Sequence, residues 1–152
     1  MPHLWFDQSA RDAAEFYVSV FANSRITSET ALHDIPYGDC DLVAFELEGQ
    51  SFLAISGAGP AFKFNEAISF LVHCDTQDEI DHYWQKLSAV REAEQCGWLK
   101  DKYGLSWQIV PKVMIEMLTS KDEAKKSRLI KAFLQMKKLD IETLQNAYHG
   151  NG

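Results

Sequence analysis

Two histidines, one strand-borne glutamine and two tryptophans are the side chains through which this chain could do chemistry. His3 and His73 both lie in apolar runs, HLWF and SFLVHC. Imidazole titrates near neutral pH, so either could act as a general base. His33, His82 and His149 fall in loop or surface settings. Gln108 interrupts the apolar run Leu105–Val110, where a buried amide could hydrogen-bond a ligand or simply be satisfied internally. Trp5 and Trp98 could stack on a flat ligand or serve as plain core. Cys40, Cys74 and Cys96 are odd in number and contain no CxxC pair. That argues against a disulfide framework or zinc knuckle. Neither Cys74 nor Cys96 has a base beside it that would make a nucleophile.

The elements that must position these residues follow from hydrophobic period and turn chemistry. His3–Phe6 reads as a strand. Ser9-x-x-Asp12 then opens a helix with Ala10, Ala13, Tyr17, Val20 and Phe21 on one face. Arg25–Leu32 is a Thr/Ser-rich edge-strand candidate, and residues 35–39 form a loop. Asp41–Leu47 and Ser51–Ser56 are strands joined by a Glu48-Gly49-Gln50 turn. Gly57-Ala58-Gly59-Pro60 closes this half. The grammar then repeats. Ala67–Cys74 is a strand, and Thr76-x-x-Glu79 caps a helix with Ile80, Tyr83, Trp84 and Leu87 aligned. Ala89–Glu94 is a further strand candidate, followed by Trp98–Asp101 and Leu105–Val110 around a Tyr103-Gly104 turn. The remainder is helical: Lys112–Thr119, then Ser120-x-x-Glu123 ahead of a helix through Met136 with Ala124, Ile130, Phe133 and Leu134 apolar. Asp140 caps a last helix through Tyr148, stopped by Gly150.

Two βαβββ units predict an α+β fold of paired modules, each a four-stranded sheet backed by one helix, with the free sheet faces enclosing a concave site. The expected organisation is a single domain with module one at 1–60, module two at 61–111 and a helical extension at 112–150. Strand parity sends Ile68, Phe70 and Val72 to the core and Ser69, Leu71 and His73 to the site. It sends Trp107 and Ile109 to the helix, leaving Ser106, Gln108 and Val110 inward. His3 and Trp5 share a face, and Phe52, Ala54 and Ser56 are expected to complete the wall. The apolar tail exceeds what a small core should need, so it suggests a dimer contact. Phe62-Lys63-Phe64 reads as a solvated linker.

Charge and composition bound the partners. The net charge is −7, with seven Lys/Arg against seventeen Asp/Glu over residues 1–111, and eight against three over 112–138. A basic tail could meet nucleic acid, but the one aromatic residue among those cations, Phe133, belongs to the apolar helix face, so a solvated helix face is the expectation. No apolar run reaches the roughly 18 residues of a membrane span, and no signal-peptide pattern opens the chain. The expected setting is cytoplasmic.

HLWFD at 3–7, EFYVSVF at 15–21, FELEGQSFLAISG at 45–57, FKFNEAISFLVHCDTQDEIDHYW at 62–84, GWLKDKYGLSWQIVP at 97–111 and FLQMKKLDIETLQNAY at 133–148 resemble the PhnB-like family. That family belongs to the vicinal oxygen chelate superfamily, with the glyoxalases, bleomycin-resistance proteins and extradiol dioxygenases. Many of its members carry the label 3-demethylubiquinone-9 3-methyltransferase. The resemblance implies paired βαβββ modules and a homodimer. It also places the superfamily's metal-ligand positions at Ala54, Ser69 and Gln108, with His3 two residues from the first. That set implies no metal. The methyltransferase label lacks a cofactor motif, since Gly57-Ala58-Gly59 leads into Pro60 and Phe62 rather than a helix. The expected function is a PhnB-like protein of undefined activity that binds a small aromatic or apolar ligand in a metal-free cleft, without a cofactor. Trp5, Phe52, Ala54, Ser69, Leu71, Trp98 and Gln108 are its expected lining. The alternative is a metal-independent lyase, isomerase or transferase using His3 or His73 as base.

Overall fold

The computed structural model describes residues 1–36, 38–57 and 62–151. The chain divides into two units, Met1–Lys63 and Phe64–Gly152. The first runs β1 (His3–Phe6), α1 (Ala10–Val20), β2 (Arg25–Leu32), β3 (Cys40–Leu47) and β4 (Gln50–Ser56). Its sheet has the order β1-β4-β3-β2, with β1 parallel to β4 and the other pairs antiparallel. Helix α1 begins where Ser9 Oγ accepts the Asp12 amide at 3.1 Å. Its alanines and Tyr17 lie buried. Small residues let the helix approach the sheet, and Tyr17 fills the gap by stacking on Phe45, which in turn stacks on Phe52 at 5.3 Å.

That aromatic column corrects the expected parity of β4. Leu4 and Phe6 pair with Ala54 and Ser56, so all four point the same way, and all are buried. Phe52, Ala54 and Ser56 therefore belong to the core beneath α1 rather than to an open wall. The half-buried positions on the other side of β4 are Leu53 and Ile55, which pair with His3 and Trp5. The run SFLAIS is apolar at both parities, so alternation alone could not choose between its faces. Phe52→Ala is expected to cost about 3–5 kcal/mol, the usual loss for a buried phenylalanine. A fall in the urea midpoint checks this.

The second unit runs β5 (Ser69–Cys74), α2 (Gln77–Leu87), a 3₁₀ turn (Arg91–Ala93), β6 (Trp98–Lys100), β7 (Ser106–Pro111), α3 (Lys112–Leu118), α4 (Glu123–Phe133) and α5 (Ile141–His149). The sheet order is β5-β7-β6, with β5 parallel to β7. This is the first sheet's order without its last strand. The Ala89–Glu94 strand candidate is a 3₁₀ turn, so the sheet has three strands. The segment's backbone bonds to β6 lie near its ends. Ala89 N–H donates to the Lys100 carbonyl at 2.9 Å, and Gln95 and Trp98 exchange two backbone bonds of 3.1 and 2.7 Å. Between those anchors the polar run Arg91-Glu92-Ala93-Glu94 arches away, as its low β-propensity allows. Ile68 lies outside β5 and is 69% exposed, so it is not core.

Helix α2 is capped as expected. Thr76 Oγ1 accepts the Glu79 amide at 3.2 Å, while the Glu79 carboxylate accepts the Asp75 amide at 2.9 Å. Helix α4 starts later than expected, with Asp122 as its cap in place of Ser120. Its packed side is Leu129 and Phe133, which leaves Ile130 and Leu134 exposed. Most of the tail's apolar residues are consumed within the unit. Val110, Met114, Met117, Leu129, Leu139 and Leu144 form one buried cluster. Most of the apolar tail therefore covers this unit's own core, and Ile130 and Leu134 are what it leaves at the surface. Val110 belongs to that cluster and not to an open face.

Hydrogen bonds clamp the tail in place. Cys96 and Gly97 donate to the Met136 and Lys137 carbonyls at 2.7 and 2.8 Å. Gln77 donates to the Leu139 carbonyl at 3.0 Å and accepts the Ile141 amide at 2.9 Å. Lys138 meets Asp81 at 2.9 Å. The hydrogen bond from Lys138, then that from Gln77, holds the Asp81 carboxyl below the ordinary 3.8. Two hydrogen bonds from Thr143 do the same at Asp140, the cap of α5. Both groups are lowered in the folded state, so their stabilisation is complete above the ordinary value and lost as pH falls through the lower folded value. Hydrogen exchange of α5 amides is expected to speed up below about pH 4 relative to those of β7.

Candidate functional site

The second sheet presents its two faces as parity predicts. Phe70, Val72, Leu99, Trp107 and Ile109 share the face under α2. Ser69, Leu71, Trp98, Lys100 and Gln108 share the other, through the pairs Ser69–Ser106, Leu71–Gln108, Trp98–Gln108 and Lys100–Ser106. Gln108 Nε2 donates to Ser69 Oγ at 2.9 Å. That bond ties the amide to β5. Leu71 beside it is 43% exposed, and Trp98 is half-buried. A fixed polar pair set in partly exposed apolar surface suits the recognition of a small, mostly apolar molecule.

A cavity of about 540 Å³ adjoins this face where the 90–94 arch leaves β6, lined among others by Val90, Trp98, Leu99, Lys100, Ser106 and Glu66. Lys100 Nζ meets Glu66 at 3.3 Å across it. These two residues were absent from the sequence-based site. Lys100 shares the parity of Trp98, so the alternation that placed Trp98 could have placed it too.

In the first unit the open face carries His3, Trp5, Leu53 and Ile55. Trp5 is 39% exposed, packs edge-on against Phe62 at 5.2 Å and donates its indole N–H to the Gly57 carbonyl at 3.1 Å. Phe62 is thus partnered with Trp5 rather than simply part of a solvated linker. The Gly57-Ala58-Gly59-Pro60 segment lies outside the described residues beyond Gly57, as does Tyr37 of the 35–39 loop. A second hollow of about 320 Å³ near the end of β4 holds Asp7, Asp39, Asp41 and His33.

Neither base candidate is oriented. His3 and His73 are exposed, and among the described residues no hydrogen bond or ion pair holds either ring. A catalytic imidazole ordinarily has a partner that sets its tautomer and direction. The cysteines are free. Burial, and then the nearby Glu79 and Asp75, push the Cys74 thiol up to about 12. Cys74 is therefore expected to resist a thiol reagent such as DTNB at pH 8 in the folded protein and to react on denaturation.

The donor set does not suit a metal. Ser69 and Gln108 supply only a hydroxyl and an amide that are already bonded to each other. Ala54 is in the core, and its open-face neighbours Leu53 and Ile55 carry no donor atom. Among the described residues no group of three or more His, Cys, Asp or Glu side chains could hold an ion. A Rossmann-type methyl-donor cradle fits no better. The β1–α1 connection is Asp7-Gln8-Ser9, without glycine, and its serine hydroxyl is spent on the helix.

A four-stranded and a three-stranded sheet, each backed by a helix, make this a mixed α+β protein. The chain belongs to the PhnB-like family described as 3-demethylubiquinone-9 3-methyltransferase, whose model matches residues 1–110. A PhnB protein from Bacillus cereus, carrying the same methyltransferase description, is 31% identical over 73% of this chain and 97% of its own, with a TM-score of 0.62. A protein from Pseudomonas aeruginosa is 17% identical over 72% of this chain and 94% of its own, with a TM-score of 0.52. The fosfomycin resistance protein FosX from Mesorhizobium loti is 12% identical over 78% of this chain and 94% of its own, at 0.50. The last two are alike in fold alone. No curated protein matches the chain. Among the described residues no helix is long and apolar enough to cross a membrane.

Proposed function

We propose that this PhnB-like protein binds a small aromatic or apolar molecule on the open face of its second sheet, without a metal. The Gln108–Ser69 hydrogen bond carries the reading. It fixes one amide between Leu71 and Trp98, so that orientation comes from polar atoms and affinity from apolar contact. The reading extends to a homodimer in the cytoplasm. Family resemblance supports the dimer, and three unpaired cysteines suit a reducing compartment. Nucleic acid is not a partner on this reading. Lys112, Lys126 and Lys138 are engaged by Asp75, Glu123 and Asp81, Arg128 binds the α5 carbonyls of Ala147 and Tyr148, and Lys125 lies over the Tyr148 ring.

The test is calorimetric titration with 2-naphthamide, a neutral two-ring probe. Binding is expected with stabilisation against heat, and Leu71→Asp is expected to weaken it at least about tenfold by placing a charge in the contact. Absence of binding by neutral naphthyl probes, or affinity untouched by both Leu71→Asp and Gln108→Leu, would overturn the reading. Stoichiometric metal in the purified protein would overturn its metal-free part.

A further inference from the structure

The cavity beneath the 90–94 arch exists because one strand is missing. In the first unit the corresponding position is filled by β2, eight residues paired along β3. In the second, the segment is tied to β6 only at Ala89 and Gln95. The feet of the arch are held independently. Ser88 Oγ donates to Glu94 at 2.8 Å, and Gln95 Nε2 donates to the Leu134 carbonyl at 2.9 Å. The gap is therefore a built feature, with Val90, Ala93, Trp98 and Leu99 as apolar wall.

Lys100 is the cation of this cavity. Its side chain is 27% exposed, whereas its partner Glu66 is 71% exposed, in the turn before β5. Lys100 is thus the more covered member of the pair and Glu66 the more exposed. Such exposed carboxylates hold their partners loosely. A hydrogen bond to its own backbone, and then Lys100, keep Glu66 below its ordinary value, so it is ionised at neutral pH.

We propose that this pocket takes an aromatic monocarboxylate, whose carboxylate replaces that of Glu66 on Lys100 while its ring lies against Trp98. The inference rests on the ligand-binding reading given above and names the ligand's class. The exchange leaves Lys100 paired throughout. A carboxylate arriving on an aromatic ring displaces water around the ammonium, which strengthens the new pair relative to the solvent-side one. Glu92 also lines the cavity, and together with the displaced Glu66 it disfavours a second negative charge. A single carboxylate is preferred over a dianion.

The test compares 2-naphthoate with isosteric 2-naphthamide by calorimetry on the full-length protein in one low-salt buffer. Naphthoate is expected to bind at least about tenfold tighter than the amide, in line with a charge-assisted contact. Glu66→Gln should raise naphthoate affinity several-fold and leave naphthamide unchanged. Lys100→Met should abolish the preference for the acid while keeping naphthamide binding. Equal affinity of the two probes in the wild type, a preference that survives Lys100→Met, or a naphthoate affinity unmoved by Glu66→Gln would overturn the proposal. Naphthamide binding without any acid preference sinks only the anion assignment, whereas loss of both probes removes the ligand-binding reading as well.

Discussion

Asp101→Ala is expected to destabilise the protein by about 3 kcal/mol or more, because it strands three donors at once. Asp101 is 1% exposed. One carboxylate oxygen accepts the Tyr103 and Leu105 amides at 2.8 and 3.0 Å, and the other accepts the Trp107 indole N–H at 2.9 Å. The carboxylate thus organises the whole β6–β7 hairpin, whose turn places Gly104 at a φ of +86°. Asp101→Asn keeps the shape but can turn a donor against a donor, so it should recover only part of the loss. Trp107→Phe removes a single bond and should cost about 1–2 kcal/mol. A double-mutant cycle in urea checks the assignment, with a coupling between Asp101 and Trp107 well above zero as the expected result. Near-additive losses would refute a direct indole–carboxylate bond. Total stabilities run near 5–15 kcal/mol, so the alanine variant sits close to unfolding.

Truncation after Pro111 should have a still larger effect. It removes Met114, Met117, Leu129, Leu139 and Leu144, all buried in one cluster, and exposes Val110. It also leaves the Cys96 and Gly97 amides and the Gln77 side chain without their tail partners. Each buried leucine alone is worth about 2–5 kcal/mol, so the truncated second unit is expected to lose cooperative unfolding and bind ANS. A sharp, near-native thermal transition in the truncated chain would refute this. Gly97→Ala probes the same interface more gently. Gly97 sits at a φ of +91°, and an added Cβ would lie 3.0 Å from Leu139 Cδ1 and 3.2 Å from the Ile109 carbonyl oxygen. Backbone strain and crowding act together there, so a loss of about 2 kcal/mol is expected.

The family model ends at residue 110, so the tail lies beyond the matched range. Its amphipathic pattern was readable from the sequence, but the surface it covers was not. A helical stripe says that a face is buried without saying against what, and this one closes on its own unit. The caps of α1, α2 and α5 were equally readable, with Ser9, Thr76 and Asp140 ahead of each helix, whereas α3 follows Pro111 without a side-chain cap and Asp122 displaced Ser120 at α4. Parity succeeded over most of β5 and β7, where Ser69 and Gln108 mark one side, but not at Val110, which the tail covers. It failed in β4, where both sides are apolar and only the Phe45–Phe52 stack decides. The 89–94 segment misled for a related reason. Its ends bond to β6 as a strand would, and only its charged middle departs.

The long-range ties of the tail set a timetable for synthesis. The first unit has all of its strands by Ser56, so its core can close while the ribosome is still at work. The second cannot. Gln77 waits for partners 62 and 64 residues downstream, and Leu144 completes the cluster that contains Val110. During that interval Val110, the Cys96 and Gly97 amides and the Gln77 side chain are nascent-chain surface without their tail partners. A ribosome paused within the last helices therefore holds half a finished protein beside half an exposed one, and chaperone demand should fall once α5 emerges.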